Sequence, residues 1–185
     1  MDSSLTNQIK KLMDKHPDLF PTEAKFWSYL RGCLRRGLWE KSPMKFKFKN
    51  KSAIPPPEGY KGKGRKGHIC ALTGEWVMTS KAEVDHIEGH KPLLKESDII
   101  PYIIHLLATE DSLQMVDKEA HKIKSHAERK GLSFEEAVID KKVIEYLKKP
   151  VKDVVKVLTE HNLPSNNNTV RRKGIKQLFE EGKLK

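Results

Sequence analysis

Glu83-Val84-Asp85-His86-Ile87 lies near the middle of this 185-residue chain, and two stretches follow it downstream, Ser112-Leu113-Gln114-Met115-Val116 and His121-Lys122-Ile123-Lys124-Ser125. Cys70-Ala71-Leu72-Thr73-Gly74 precedes them. Trp76 to Thr79 and Ala82 to Asp85 read as two short strands joined at Ser80-Lys81, so a hairpin would carry Asp85 and His86 at its end. Asp117 can cap a helix that runs to about Lys130 and stops at Gly131, and His121 then falls in its first turn. Neighbouring strand residues point to opposite faces, so Asp85 and His86 serve one site only if the chain bends after them. Glu88-Gly89 allows that bend.

Outward from this centre, the N-terminal side reads as helix. Leu5 to Lys15 places Leu5, Ile9, Leu12 and Met13 on one face and is stopped by His16-Pro17. Thr22 can cap a second helix reaching about Gly37, with Phe26, Tyr29, Leu30, Cys33 and Leu34 apolar and Arg31, Arg35 and Arg36 opposite. Residues 40–67 hold Pro43, the alternation Lys45-Phe46-Lys47-Phe48-Lys49, three consecutive prolines at 55–57 and Lys61-Gly62-Lys63-Gly64-Arg65-Lys66-Gly67. This composition predicts an extended linker. Phe46, Phe48 and Tyr60 either stack on a ligand or pack against the core.

On the C-terminal side, Ser97 or Asp98 can cap an apolar helix over 97–108, expected to pack on Trp76 and Met115. Ser133 and Glu136 have capping-box spacing for a helix toward Lys149. Two more helices are expected, to His161 and from Val170 to Glu181. With Arg171-Arg172-Lys173 on the second, this end loosely resembles a helix-turn-helix or SAP-type DNA-binding module; an accessory helical hairpin is the plain alternative.

Charge resolves these parts further. The chain has 36 Lys plus Arg, 25 Asp plus Glu, and a formal charge of +11. Residues 1–69 carry 16 basic and 6 acidic groups, residues 70–130 carry 8 and 11, and residues 131–185 carry 12 and 8. The ends are basic and the centre is mildly acidic, which suits a protein that grips a polyanion with its arms and places carboxylates or a cation between them. Lysines that merely confer solubility are the bland reading of the same pattern. The two cysteines, Cys33 and Cys70, exclude a disulfide scaffold. No run approaches the roughly 18 consecutive apolar residues of a membrane span, so the expectation is a soluble, cytoplasmic protein, or one of the host cytoplasm if phage-encoded.

The ordered set of Asp85-His86, Ser112-Leu113-Gln114 and His121-Lys122-Ile123-Lys124 resembles the HNH endonucleases of the ββα-metal superfamily, in the small versions common in bacteriophages. The likeness covers about residues 65–130. It implies an α+β fold with a small ββα-metal core over 68–131, flanked by basic N-terminal helices (1–40), the basic linker (41–67) and a C-terminal helical module (132–185). It further implies a one-metal mechanism in which His86 is the general base, Asp85 and His121 bind Mg²⁺ or Mn²⁺, and position 112 fastens the catalytic loop. The implied partner is double-stranded DNA, contacted by Arg31, Arg35, Arg36, Lys61, Lys63, Arg65, Lys66, Lys122, Lys124, Arg171, Arg172 and Lys173.

The chemistry agrees with those residue types. Phosphodiester hydrolysis needs an activated water, a cation for the developing charge and donors that hold the phosphate. A carboxylate is a hard ligand for a divalent ion, and an imidazole accepts a proton near neutral pH. Two departures stand out. Where many relatives carry two Cys-x-x-Cys pairs, this chain has Cys70, Thr73, Asp117 and Ala120, so no structural zinc is expected. Where they carry an asparagine, it has Ser112, whose hydroxyl fixes the loop only in part, with Asp111 beside it. A non-catalytic DNA-binding protein on the same fold is therefore the alternative expectation.

Overall fold

The computed structural model describes residues 5–89 and 91–184, so His90 lies outside the described residues. It is a mixed α+β structure with eight α-helices and two small antiparallel two-stranded sheets among those residues. The chain divides into two compact units, Met1–Asp117 and Lys118–Lys185.

In the first unit, α1 spans Leu5–Lys15 and α2 spans Glu23–Leu34. Thr22 caps α2 by accepting the Lys25 N–H at 3.2 Å. Helix α2 continues as one π-turn, Arg35–Trp39, closed by the Glu40 N–H on the Arg35 carbonyl at 3.0 Å. The expected linker is not extended throughout. Pro43–Lys51 forms α3, because Ser42 accepts the Lys45 N–H at 3.3 Å and Pro43 occupies the first turn, where no amide hydrogen is needed. Of the three aromatic residues left open above, Phe48 packs on the core, Phe46 is exposed and Tyr60 lies against Trp76 at 4.7 Å between centroids.

The strand pairing differs from the expected hairpin. Strand β2 (Trp76–Met78) pairs with β1 (Gly67–Ile69), while β3 (Ala82–His86) pairs with β4 (Leu113–Asp117). The Ser80-Lys81 turn therefore connects two sheets. Its start is tied to the first one: Thr79 donates to the Lys66 carbonyl through both N–H (3.2 Å) and hydroxyl (3.0 Å). Only glycine suits position 67, since a Cβ there would come within 2.4 Å of the Trp76 indole.

The core of this unit joins Phe26, Trp27 and Trp39 to Ala82 and Val84 of β3, Leu113 and Met115 of β4, Leu93, and Tyr102 and Leu106 of α4 (Ile99–Leu106). Each such large side chain contributes about 1.5–3 kcal/mol by leaving water. Helix α4 shares this core with Met115, as expected, but Trp76 is not part of it. Neither expected cap holds: the Asp98 carboxylate accepts the N–H groups of Leu94 (2.9 Å) and Lys95 (3.2 Å), tying down the preceding loop, and α4 has no side-chain cap.

The second unit is helical. Helix α5 (Lys118–Lys130) ends at Gly131, whose φ of +64° favours glycine. Helix α6 (Phe134–Tyr146) opens with the expected capping box, Glu136 N–H to Ser133 Oγ at 3.1 Å and Ser133 N–H to Glu136 Oε2 at 2.8 Å. Helices α7 (Val151–Glu160) and α8 (Asn168–Glu180) follow. They do not form a bare hairpin. Val143 of α6, Val154 and Leu158 of α7, and Ile175 and Leu178 of α8 make a separate core. Gly174 permits the close α7–α8 approach, since a Cβ there would meet Leu158 at 2.6 Å. Among the described residues no helix is long and apolar enough to cross a membrane.

Candidate active site around Asp85 and His86

Strand β3 sets the site by alternation. Ala82 and Val84 are buried, and His86 continues their face toward Trp39; Asp85 occupies the register position opposite Gln114. Immediately after His86 the chain bends, at Ile87 and Glu88. The required bend is thus present, one residue earlier than Glu88-Gly89.

His86 is held on three sides. Its ring lies 4.1 Å from that of Trp39, at 31°, and 4.0 Å from that of His105, at 25°. Its Nε2 is 2.8 Å from the His105 carbonyl oxygen. A carbonyl can only accept, so Nε2 is the donor and the neutral ring keeps its lone pair on Nδ1. His86 also lines a cavity of about 630 Å³ with Ile87, Glu88, Ile104, Leu107, Thr109 and Ser112 among its walls.

The fastening of the loop uses different atoms from those expected. Ser112 spends its hydroxyl inside its own turn, donating to the Thr109 carbonyl (2.8 Å) and accepting the Thr109 N–H (3.1 Å). What reaches the loop after His86 is the Ser112 carbonyl, which accepts the Ile87 N–H at 2.9 Å. The side-chain amide comes from Gln114: its Nε2 donates to Asp85 Oδ2 (3.3 Å) and to the His86 carbonyl (3.2 Å). Asp111 is exposed; the Thr109 hydroxyl and its own N–H hold its carboxyl below the usual range.

Three contributors went unassigned in the sequence. Gln114 sat inside a quoted motif without a role, Trp39 had no pattern pointing to His86, and His105 carried no signal, being one histidine on an apolar helix.

His121 lies in the first turn of α5, as expected, and is half-buried. It belongs to the second unit, whereas Asp85 and His86 belong to the first. No group of three or more His, Cys, Asp or Glu side chains able to hold a metal occurs among the described residues. Among the positions that match the Cys-x-x-Cys pairs of relatives, Cys70 is buried and its sulfur accepts the Asp117 N–H at 3.2 Å. Burial would raise the Cys70 thiol, but this bond and those from Thr73 and Leu72 outweigh it and lower its pKa.

The cations divide into exposed and engaged groups. Arg35, Arg36, Lys61, Lys63, Arg65, Lys66 and Lys173 are exposed, and Arg31 is half-buried. Lys122 pairs with Glu119 at 2.7 Å and Lys124 with Glu128 at 3.6 Å. Arg171 donates to the Ser165 carbonyl at 3.0 Å. Arg172 is bound to Asp140, which also pairs with the buried His126 at 2.8 Å. No protein-family model, no curated protein and no solved structure matches this chain.

Proposed function

We propose that this protein is a metal-dependent DNA endonuclease of the HNH type, hydrolysing phosphodiester bonds with His86 as general base. The observation that carries the reading is the hydrogen bond between His86 Nε2 and the His105 carbonyl, at the end of a strand and next to Asp85. It fixes the tautomer in which Nδ1 can take a proton from water, and it does so beside a cavity. The chain order supports it as well: β3 pairs with β4, and α5 follows β4 directly with His121 in its first turn.

Asp85 would hold the divalent ion, and His121 is the second ligand that the resemblance implies. Their donor types suit Mg²⁺ or Mn²⁺, which need few protein ligands because they keep several waters. Gln114 orients the Asp85 carboxylate for this task through its amide. When bound, such an ion supplies charge stabilisation for the phosphorane and the leaving oxygen. Double-stranded DNA is gripped by Arg31 of α2 and by the exposed cations of the π-turn and residues 61–66, through phosphate contacts that weaken with salt.

One observation favours a second reading, a non-catalytic DNA-binding protein of the same architecture: the Ser112 hydroxyl is spent within its own turn. A plasmid assay separates the two. Supercoiled DNA with protein and Mg²⁺ or Mn²⁺ is expected to be nicked or linearised, and Asp85→Ala, His86→Ala and His121→Ala should each reduce the rate by about 100-fold or more. Salt-sensitive DNA binding without any metal-dependent cleavage would decide for the second reading. Unchanged cleavage in all three variants would refute the site.

A further inference from the structure

We propose that His105 and Trp39 are positioning residues that hold His86 as the middle member of a three-ring stack; the inference rests on His86 being the general base. A histidine ring with one nitrogen anchored can still pivot about that bond. Here both faces are covered, by Trp39 at 4.1 Å and by His105 at 4.0 Å, with interplanar angles of 31° and 25°. Turning the imidazole out of this slot would drive its edge into one neighbour or the other. His105 contributes twice, since its carbonyl holds Nε2 while its ring covers a face. Anchor and slot together fix the tautomer, the plane and the direction of the Nδ1 lone pair.

The stack has a specific structural origin. Helix α2 buries Phe26 and Trp27 and packs Leu30 and Leu34 on the same core. The π-turn over Arg35–Trp39 adds one residue, so Trp39 takes the place that residue 38 would hold in an uninterrupted helix. Trp39 is 5% exposed. Its ring also lies 4.7 Å from the Lys45 ammonium of α3, whose pKa is lowered by burial and by Arg35. The indole is therefore fixed from two elements before it touches His86, which a positioning surface requires.

His105 gives the cleaner test, because His105→Ala removes the ring and leaves the main-chain carbonyl. It is half-buried, and the substitution need not unfold the chain. His105→Ala is expected to lower kcat for DNA cleavage by about 10- to 100-fold with KM within about threefold, and His105→Phe to restore most of the rate. Phenylalanine neither titrates nor binds metal, so rescue identifies stacking as the role. Trp39→Phe should stay near wild type and Trp39→Leu should behave like His105→Ala. Nitrogen NMR of the full-length protein reads the ring without any activity: His86 should show a protonated Nε2 and a bare Nδ1, and ring protons shifted upfield by the stack, with the upfield shift reduced in His105→Ala.

Loss of kcat in His105→Phe equal to that in His105→Ala would overturn the proposal, as would a rise in KM alone, or wild-type ring shifts in the Ala variant. If His86→Ala cleaves as well as wild type, the catalytic reading fails on its own; the NMR result still decides whether the stack holds the ring. If Trp39→Leu does not fold, His105→Ala and Trp39→Phe carry the test.

Discussion

Two histidines in this chain, one in each unit, are each held by partners of a different kind, and the proposed function assigns chemistry to only one of them. His126 of α5 is buried with its Nε2 on the Asp140 carboxylate, and Asp140 is also bound by Arg172 of α8. The trio ties α5, α6 and α8 together. His86 has its Nε2 on the His105 carbonyl and the rings of Trp39 and His105 on its faces, and it lines a cavity. A carboxylate partner anchors the His126 ring in place. A carbonyl partner orients the ring, which suits the proton transfer proposed for His86.

The comparison breaks most visibly at Asp140. Burial would raise its carboxyl, but the bonds from His126 and Arg172 outweigh this and hold it below the usual carboxylate range. Asp140→Ala leaves His126 buried without its partner and should cost about 3 kcal/mol. The corresponding fall in Tm is roughly 10 °C or more, measured by calorimetry. Because the folded pKa is depressed, the stability from this group is present above its unfolded pKa of about 4 and is lost as pH falls through the lower folded value. Asp140→Asn should therefore show a shallower loss of stability than wild type as pH falls below about 4. DNA cleavage measured well below Tm should change little; a hundredfold loss there would place this trio in the chemistry and erase the distinction drawn between the histidines.

A smaller effect is expected at the loop beside His86, where the Gln114 amide makes the side-chain contacts that the sequence suggests for position 112. Gln114→Ala removes the amide that spans Asp85 and the His86 carbonyl and should lower kcat about tenfold, with little change in Tm. Ser112→Ala should cost about 1 kcal/mol of stability by opening the Thr109 turn, with cleavage within about threefold, because the bond to Ile87 uses the carbonyl. Ser112→Asn is expected to bring no gain. A large gain would show that fastening at position 112 is what this loop lacks.

The contrast also explains what was legible beforehand. Helix ends written in local chemistry were readable: the Ser133 and Glu136 box, Thr22, and Gly131 in its left-handed conformation all act within a few residues. Strand partners were not. The run from Trp76 to His86 reads as a hairpin because strand propensity carries no information about partners, and pairing with Gly67–Ile69 and Leu113–Asp117 is decided by tertiary packing. Helix α3 was hidden because lysines at alternate positions look like solvated linker, whereas Ser42 and Pro43 start a helix that packs Met44 and Phe48 on the core. Asp85, His86 and His121 are named together by an ordered motif. Trp39 and His105 meet His86 only through the fold, at sequence separations no local pattern links.

The smallest expected effect concerns adjacent residues that look alike in sequence, Arg172 and Lys173. Both were expected to contact DNA, but Arg172 spends its guanidinium on Asp140, while Lys173 is exposed. The Arg172 side chain is 42% exposed, so solvent screening limits the stabilisation it gives. Arg172→Ala should lower stability by under about 1 kcal/mol and leave the salt dependence of DNA binding unchanged. Lys173→Ala should leave Tm unchanged, and if the second unit touches DNA it should reduce the slope of log affinity against log salt by about 1. Fluorescence anisotropy with a duplex at several salt concentrations measures both slopes. A reduced slope for Arg172→Ala would mean that the guanidinium leaves Asp140 for a phosphate when DNA binds, and the trio around His126 would then report on the nucleic acid as well as hold the helices.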